Sequence, residues 1–415
     1  MRSARVAILA SVALAVAACG GGDDKAAPTA SSSGPTSASS ESSGSTSSSS
    51  QEPGFEVSDI AAGDQHVCAL DRDGVAYCWG YNRMGQLGNG SGADSSTPVK
   101  VTTDQRFESI SAGRYFSCAL TAGGAAFCWG DNSSGELGDG TTGAGGDDEN
   151  RATPVQVLGG LAFEELVTGQ LHVCGRTAAG EVHCWGAYPS GQLGNDANTD
   201  QVQPSRSAAG LVFTELAASG ANTCGLEAAG AAWCWGNNSF GQLGNGAKSN
   251  AAQHAPGQVI GGTRFVSLTL GRTHGCGIDA VGAASCWGGN VHGVLGDGTL
   301  AERLTPTPVA GTHRFAMVSG GVQHTCGIDT DGAAWCWGAN HVGQLGDGSG
   351  TDGEDRTSPT AVTGGLRFAT LSAGEEFTCG ITTDDLAYCW GANTAGLLGD
   401  GSDRGTTEPV RVKRP

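Results

Sequence analysis

The chain has 415 residues, of which 71 are Gly and 15% are charged, and its formal net charge is −19. That length holds two or three average domains or one long repeat array, and so much Gly without a collagen period fits short strands joined by tight turns. The acidic balance excludes a phosphate-tracking surface, which needs clustered Lys and Arg, so nucleic acid is not an expected partner and the charge reads as a solvated acidic surface.

Residues 1–18 carry Arg2 and Arg5, then an apolar and small-residue run from Val6. The run falls short of the ~20 apolar residues that span a bilayer but has the order of a signal peptide. It ends Val16-Ala17-Ala18-Cys19, which resembles the lipobox of bacterial lipoproteins. The resemblance implies cleavage before Cys19, lipidation of its sulfur, and anchoring to a membrane of the bacterial cell envelope on the extracytoplasmic side, since two or more acyl chains hold a protein stably. Residues 19–54 are Gly, Asp, Ala and mostly Ser, with no apolar pattern. They are expected to form a disordered tether.

The domain expected at 55–415 is organised by cysteine. Of 15 Cys, all but Cys19 fall in pairs ten residues apart: Cys68 and Cys78, Cys118 and Cys128, Cys174 and Cys184, Cys224 and Cys234, Cys276 and Cys286, Cys326 and Cys336, Cys379 and Cys389. Zinc sites favour closer pairs and four convergent ligands, so disulfides in an oxidising compartment are the better reading. Each pair flanks a turn cluster such as Asp329-Thr330-Asp331-Gly332, which predicts a β-hairpin with one Cys on each strand. In that register the two Cys stand opposite each other, within disulfide reach.

The first cysteines recur at 68, 118, 174, 224, 276, 326 and 379, a unit of 50 to 56 residues. Each unit begins with a short strand ending in Gly, such as Phe107 to Gly113, followed by the hairpin. Trp-Gly comes next, then Asn, a Gly-x-Leu-Gly turn, a variable acidic loop and usually Pro-Val. Four short strands per unit with no helical periodicity predict an all-β, closed seven-bladed β-propeller with one disulfide per blade. Gly321-Val322-Gln323-His324, Trp337-Gly338-Ala339-Asn340 and Gly343-Gln344-Leu345-Gly346 resemble the regulator of chromosome condensation repeat, a resemblance that implies the same seven-bladed fold. Tyr188 stands in place of the Asn, Glu136, Val294 and Leu397 in place of the Gln, and the fourth unit is one residue short before Cys224.

Alternation places Ala76 and Cys78 on one face of the hairpin and Tyr77 and Trp79 on the other. The Trp-Gly stripe is therefore expected to wedge between blades, with small residues such as Ala76 allowing close approach. Ring closure is expected from pairing of Val57-Ser58-Asp59-Ile60 with Pro409-Val410-Arg411-Val412.

No catalytic constellation, cofactor or metal site is expected. His66, His172, His274 and His324 share one repeat position, where Phe116, Asn222 and Phe377 stand in other units, and read as structural. Asp196 to Asp200 lacks the Gly and Glu of a calcium loop. Asp147-Asp148-Glu149 and Asp352 to Asp355 read as solvated acidic loops, and the Gly-x-Leu-Gly turns lack the Lys and helix of a phosphate loop.

Candidate binding residues are those that differ between units: Arg83, Met84, Phe240, His292 and His341 before the Gly-x-Leu-Gly turns, and Arg114, Tyr115, Glu375 and Glu376 after the first-strand glycines. The expectation is a monomeric protein-binding module rather than an enzyme. A carbohydrate-binding module is one alternative. A secreted enzyme inhibitor is another, because secreted bacterial propellers of this fold that the chain resembles include a β-lactamase inhibitor.

Overall fold

The hairpins form in the register that the cysteine spacing requires. In the computed structural model, which describes residues 54–143, 150–195, 199–350 and 354–415, the Asp71 N–H donates to Val75 O and the Gly74 N–H to Asp71 O. Gly74 takes φ 75°, a left-handed conformation that costs Gly nothing. The turn sets Cys68 opposite Cys78, and the two sulfurs are bonded. The expected pairing holds in every other hairpin too. Cys118 is bonded to Cys128, Cys174 to Cys184 and Cys224 to Cys234. Cys276 is bonded to Cys286, Cys326 to Cys336 and Cys379 to Cys389. Across the seven the Cα atoms stand 4.0–4.1 Å apart. Residues 1–53, Cys19 included, lie outside the described residues, as do Asp147-Asp148-Glu149, Asp196 to Asn198 and Asp352-Gly353.

Each hairpin supplies the middle strands of a four-stranded antiparallel sheet, and seven such sheets follow in chain order. Blade 1 consists of Asp59–Ala62, His66–Leu70, Ala76–Gly80 and Ser95–Lys100; blades 2 to 7 span 107–156, 163–207, 215–258, 265–308, 315–361 and 368–411. First strands surround a central channel and fourth strands form the rim.

The Trp stripe does wedge between blades. Trp129 of blade 2 is fully buried against Cys68, Ala76, Cys78 and Leu87 of blade 1. Its indole N–H donates to the carbonyl of Gln86, inside blade 1's Gly-x-Leu-Gly turn, at 2.8 Å. All seven stripe tryptophans repeat this bond to the preceding blade at 2.8–3.0 Å, and Trp79 of blade 1 makes it to Leu397 of blade 7. Gly88, which ends the turn at φ 65°, leaves no room for a side chain, because a Cβ there falls 2.7 Å from Trp129 Nε1.

The ring closes differently from the expected strand pairing. Thr406–Arg411 bonds to the third strand of its own blade at the rim, whereas Asp59–Ala62 is an axial strand. The two lie at opposite edges of their sheets and cannot pair. Phe55 to Val57 instead runs beside Asp385 to Ala387, with Val57 N–H donating to Asp385 O at 2.9 Å. Phe55, Val57 and Trp79 share one core with Phe377, Leu398 and Val412.

Side chains tie the axial strands together at every joint. Asp59 accepts from Ile110 N–H, Glu165 from Leu216, Glu215 from Leu268, Thr269 from Gly320, Ser319 from Ala373 and Ser372 from Ala62, at 2.8–3.2 Å, while Ser111 and Thr168 join hydroxyls at 2.8 Å. These bonds occupy strand edges that otherwise invite pairing with another chain. The joint between blades 7 and 1 uses the same device as the rest.

Candidate functional site

Residues shared by the units are consumed by architecture. His66 is buried, and its Nε2 lies 2.7 Å from Ser117 Oγ of the next blade. Ser117 spends its one proton on Gln86 O at 3.0 Å. The imidazole must therefore donate from Nε2, which leaves Nδ1 an unprotonated acceptor without a partner among the described residues. His172 with Thr223, His274 with Thr325 and His324 with Thr378 repeat the relay at 2.8–2.9 Å. Burial pushes His66, His172 and His324 down to about 3 and His274 to about 4, so all four stay neutral.

The partner residue follows the first one. Where blade 2 has Phe116, blade 3 has Val173 in the hydroxyl position, and Phe377 of blade 7 likewise meets Val67 of blade 1. This correlation was readable in the sequence as a match between position x of one unit and position x+1 of the next. It escapes any comparison of a repeat position only with its own copies, and so went unpredicted.

The repeated Asn of the loops is also structural. Asn82 Oδ1 accepts from Leu87 N–H at 2.9 Å while its amide donates to Ser91 O and Ala93 O, folding the loop over the turn. Tyr188, standing in its place, stacks on His254 with ring centroids 5.0 Å apart. Glu136, in a Gln position, is buried, accepts from Ser134 N–H at 2.8 Å through one oxygen, and leaves Oε1 without a partner. Desolvation, with Asp131 adding like charge, pushes its carboxyl up to about 8.

Antiparallel geometry puts the turn between first and second strands at the same end of each blade as the loop between third and fourth, as the bond from Tyr81 N–H to Gln65 O records. All nine candidate binding residues therefore lie on one face of the ring. Arg114, Tyr115, Glu375 and Glu376 sit in the inner turns; Arg83, Met84, Phe240, His292 and His341 sit in the outer loops. Glu376 meets His341 at 3.1 Å, and the Arg114 guanidinium lies 4.9 Å above the Tyr115 ring. His292 bonds Asp355 at 2.8 Å, and the Asn150 amide donates to Met84 Sδ at 3.4 Å. Arg83 and Phe240 are exposed in separate blades. No single cleft gathers all nine.

At the centre of this face the first-strand glycines form a collar. A Cβ on Gly63 falls 2.3 Å from Gly113 O, and one on Gly374 falls 2.8 Å from Gly63 O, so the blades meet here backbone to backbone. Of the residues that follow these glycines, Asp64, Gln170 and Val322 line the channel mouth, Glu375 lies beside Asp64 in an adjoining pocket, and Arg114 and Arg272 hold the same position in blades 2 and 5. The residue expected to be missing before Cys224 is not missing: blade 4 has the same length from Phe213 to Cys224 as the others, but Ser219 stands where they have the glycine, so Gly220 (φ 54°) takes the next position and offers no side chain. The Gln170 amide donates to Asp64 at 2.9 Å, and Arg272 reaches Glu375 at 3.9 Å. Burial raises the Asp64 and Glu375 carboxyls above the ordinary carboxylate range. Asp64 and Arg272 were missed as candidates, although both follow a strand-ending glycine as Arg114 does. Among the described residues no cluster of three or more His, Cys, Asp or Glu is arranged to hold a metal ion.

Two models of the regulator of chromosome condensation (RCC1) repeat match the chain, one at residues 73–120, 229–278, 282–328 and 331–381, the other at 57–86, 107–136, 213–242 and 368–396. The chain belongs to the RCC1 repeat family. Among curated relatives, the ultraviolet-B receptor UVR8 of Arabidopsis thaliana is 28% identical over 155 residues, 37% of this chain and 34% of UVR8. Human E3 ubiquitin-protein ligase HERC2 is 28% identical over 156 residues, 37% of this chain and 3% of HERC2. The match thus spans about a third of UVR8 and a small fraction of HERC2. Yeast RCC1 (Prp20), solved bound to Kap60, superposes with a TM-score of 0.72 at 20% identity, covering 87% of this chain and 85% of that one. Human WBSCR16 gives 0.71 at 22% identity, covering 78% and 86%. At such identity the solved structures speak to the propeller fold, and they bear out the all-β, seven-bladed architecture.

Proposed function

We propose that this protein is a lipid-anchored RCC1-repeat propeller on the extracytoplasmic side of the bacterial cell envelope, and that it binds another protein through the face carrying the channel mouth. One observation carries the reading: residues common to the units are buried between blades, while the nine variable candidate residues, among them a cation held over an aromatic ring and an exposed Phe, lie together on one face. Binding by loops on a rigid scaffold needs that division. The relatives support a binding role for the propeller, since one is a receptor and another was solved bound to Kap60, while the match covers only 3% of the ligase HERC2. Anchoring is supported by the Val16-Ala17-Ala18-Cys19 motif and by Cys19 being the one cysteine outside the seven disulfides. Seven disulfides also suit an oxidising compartment.

A sugar-binding reading wants exposed aromatic platforms. All nine Trp lie in blade interfaces: seven are fully buried, and Trp233 and Trp335 are half-buried against neighbouring cores. Protein binding therefore ranks first, and occlusion of an enzyme is one form it takes.

The test places a photocrosslinking residue at Arg83, Phe240 or His341 and, on the opposite face, at Val281 or Arg106. In intact envelopes one protein adduct forms from the mouth-face positions alone. Adducts from Val281 alone, or from no position, reject the reading. Palmitate labelling that survives Cys19→Ala rejects the anchor.

A further inference from the structure

The channel opens on the mouth as a cavity of about 270 Å³. Its wall begins at Asp64, Gln170 and Val322 and descends past the glycine collar between axial strands lined by Ala, Ser and Thr. Pockets for drug-sized ligands run to roughly 300–1,000 Å³, so this space, just below that range, suits a smaller ligand. We propose that the mouth binds a small zwitterion of the α-amino acid class, with its ammonium between Asp64 and Glu375 and its carboxylate on Arg114.

Charge balance selects that class. Two carboxylates and two guanidiniums stand at or beside the mouth: Asp64 lines it, Glu375 shares an adjoining pocket with Asp64, Arg272 reaches Glu375, and Arg114 follows the collar glycine of the next blade. A plain cation meets both arginines and a plain anion meets both acids; a ligand carrying both charges is matched. Order around the ring sets the orientation, because Glu375, Asp64 and Arg114 stand on the consecutive blades 7, 1 and 2.

The groups are also incompletely satisfied. Arg114 forms no ion pair with a described carboxylate, and its guanidinium, held over Tyr115, keeps its donors for a ligand. Arg272 reaches Glu375 only at 3.9 Å. Asp64 and Glu375 line one small pocket beside the mouth, where burial, and then the like charge of Asp64, raises the Glu375 carboxyl. An ammonium between them relieves that repulsion. At blade 4, across the channel from the trio, Gly220 puts no side chain at this level, which leaves the far side of the mouth open.

Isothermal titration of the purified full chain with alanine, N-acetylalanine and alaninamide tests the site without a protein partner, so its failure leaves the protein-binding reading standing. Alanine of one or both hands is expected to bind. Acetylation removes the ammonium and amidation the carboxylate, and each weakens binding by about tenfold or more, the worth of a charge-assisted hydrogen bond. Arg114→Ala loses the preference for alanine over alaninamide, and Asp64→Asn loses the preference over N-acetylalanine. Circular dichroism melts check that each variant folds, and Arg114→Gln, which removes the charge but keeps a polar side chain of similar length, serves if Arg114→Ala does not. No binding at millimolar alanine, equal binding of the blocked analogues, or unchanged selectivity in the folded variants overturns the proposal.

Discussion

Replacing Glu136 by Gln is expected to stabilise the propeller, and to do so in a pH-dependent way. The carboxyl is buried in a slot that holds Gln in blades 1, 3, 4 and 6, and it is pushed up to about 8 from an ordinary 4.5. Between those values the native state holds a proton that the unfolded chain releases, so wild-type stability falls as pH rises from 4.5 to 8 and levels off beyond. At 1.36 kcal/mol per pKa unit, keeping that proton at pH 7 costs about 3 kcal/mol. Gln carries no such cost, but its Nε2 is unpartnered at Gln86 and Gln344, which offsets part of the gain. The net expectation is about 0–2 kcal/mol at pH 7, after the penalty of about 1–3 kcal/mol for an unpaired buried amide. Chemical denaturation of wild type and Glu136→Gln at several pH values from 4.5 to 8.5 reads it directly. The difference should be smallest near pH 4.5, where only the amide penalty remains, and grow in favour of the variant to a plateau above pH 8. A difference that does not change with pH, or a variant destabilised at pH 8, refutes the burial argument.

The relay between blades 6 and 7 predicts strong coupling: His324→Phe and Thr378→Val each cost about 1–3 kcal/mol by stranding a buried polar group. The double variant, which copies the Phe377/Val67 pairing, recovers about 1–2 kcal/mol in a double-mutant cycle; simple additivity would contradict the relay. NMR should find the four relay histidines protonated at Nε2 and neutral down to about pH 4, as their burial requires. Because their folded pKa values lie below the unfolded 6.5, they erode stability as pH falls below 6.5, an effect best measured in the Glu136→Gln background where the opposing carboxyl is absent. Replacing Cys326 and Cys336 together by Ser should cost about 2–3 kcal/mol, the range for a small closed loop. A non-reducing peptide map should find every disulfide within its own hairpin, and a link between hairpins, such as Cys128 to Cys184 or Cys234 to Cys286, would contradict the register.

How much was legible in the sequence depended on whether the deciding interaction was local. The register of Cys68 against Cys78, and of Cys379 against Cys389 at the other end of the chain, follows from a turn of a few residues. The disulfides, the hairpins and the count of seven blades could therefore be read directly. The Trp stripe was legible for a related reason, since a large apolar residue recurring on one strand face has to be buried. Closure was misread because it is a long-range matter. Edge-strand logic suggested that the two chain ends pair, but the axial position of Asp59–Ala62 and the rim position of Thr406–Arg411 emerge only when whole blades are arranged around an axis. The mouth cluster was half visible: Arg114 and Glu375 stood out as variable, but Asp64 and Arg272 acquire meaning only when turns some 50 residues apart in sequence are brought to one centre. The sequence by itself determined what each unit folds into, through turn chemistry and strand alternation acting over a few residues. The tertiary structure decided which units' side chains meet over the channel, because that depends on the radial arrangement of seven separate sheets, which no local pattern encodes.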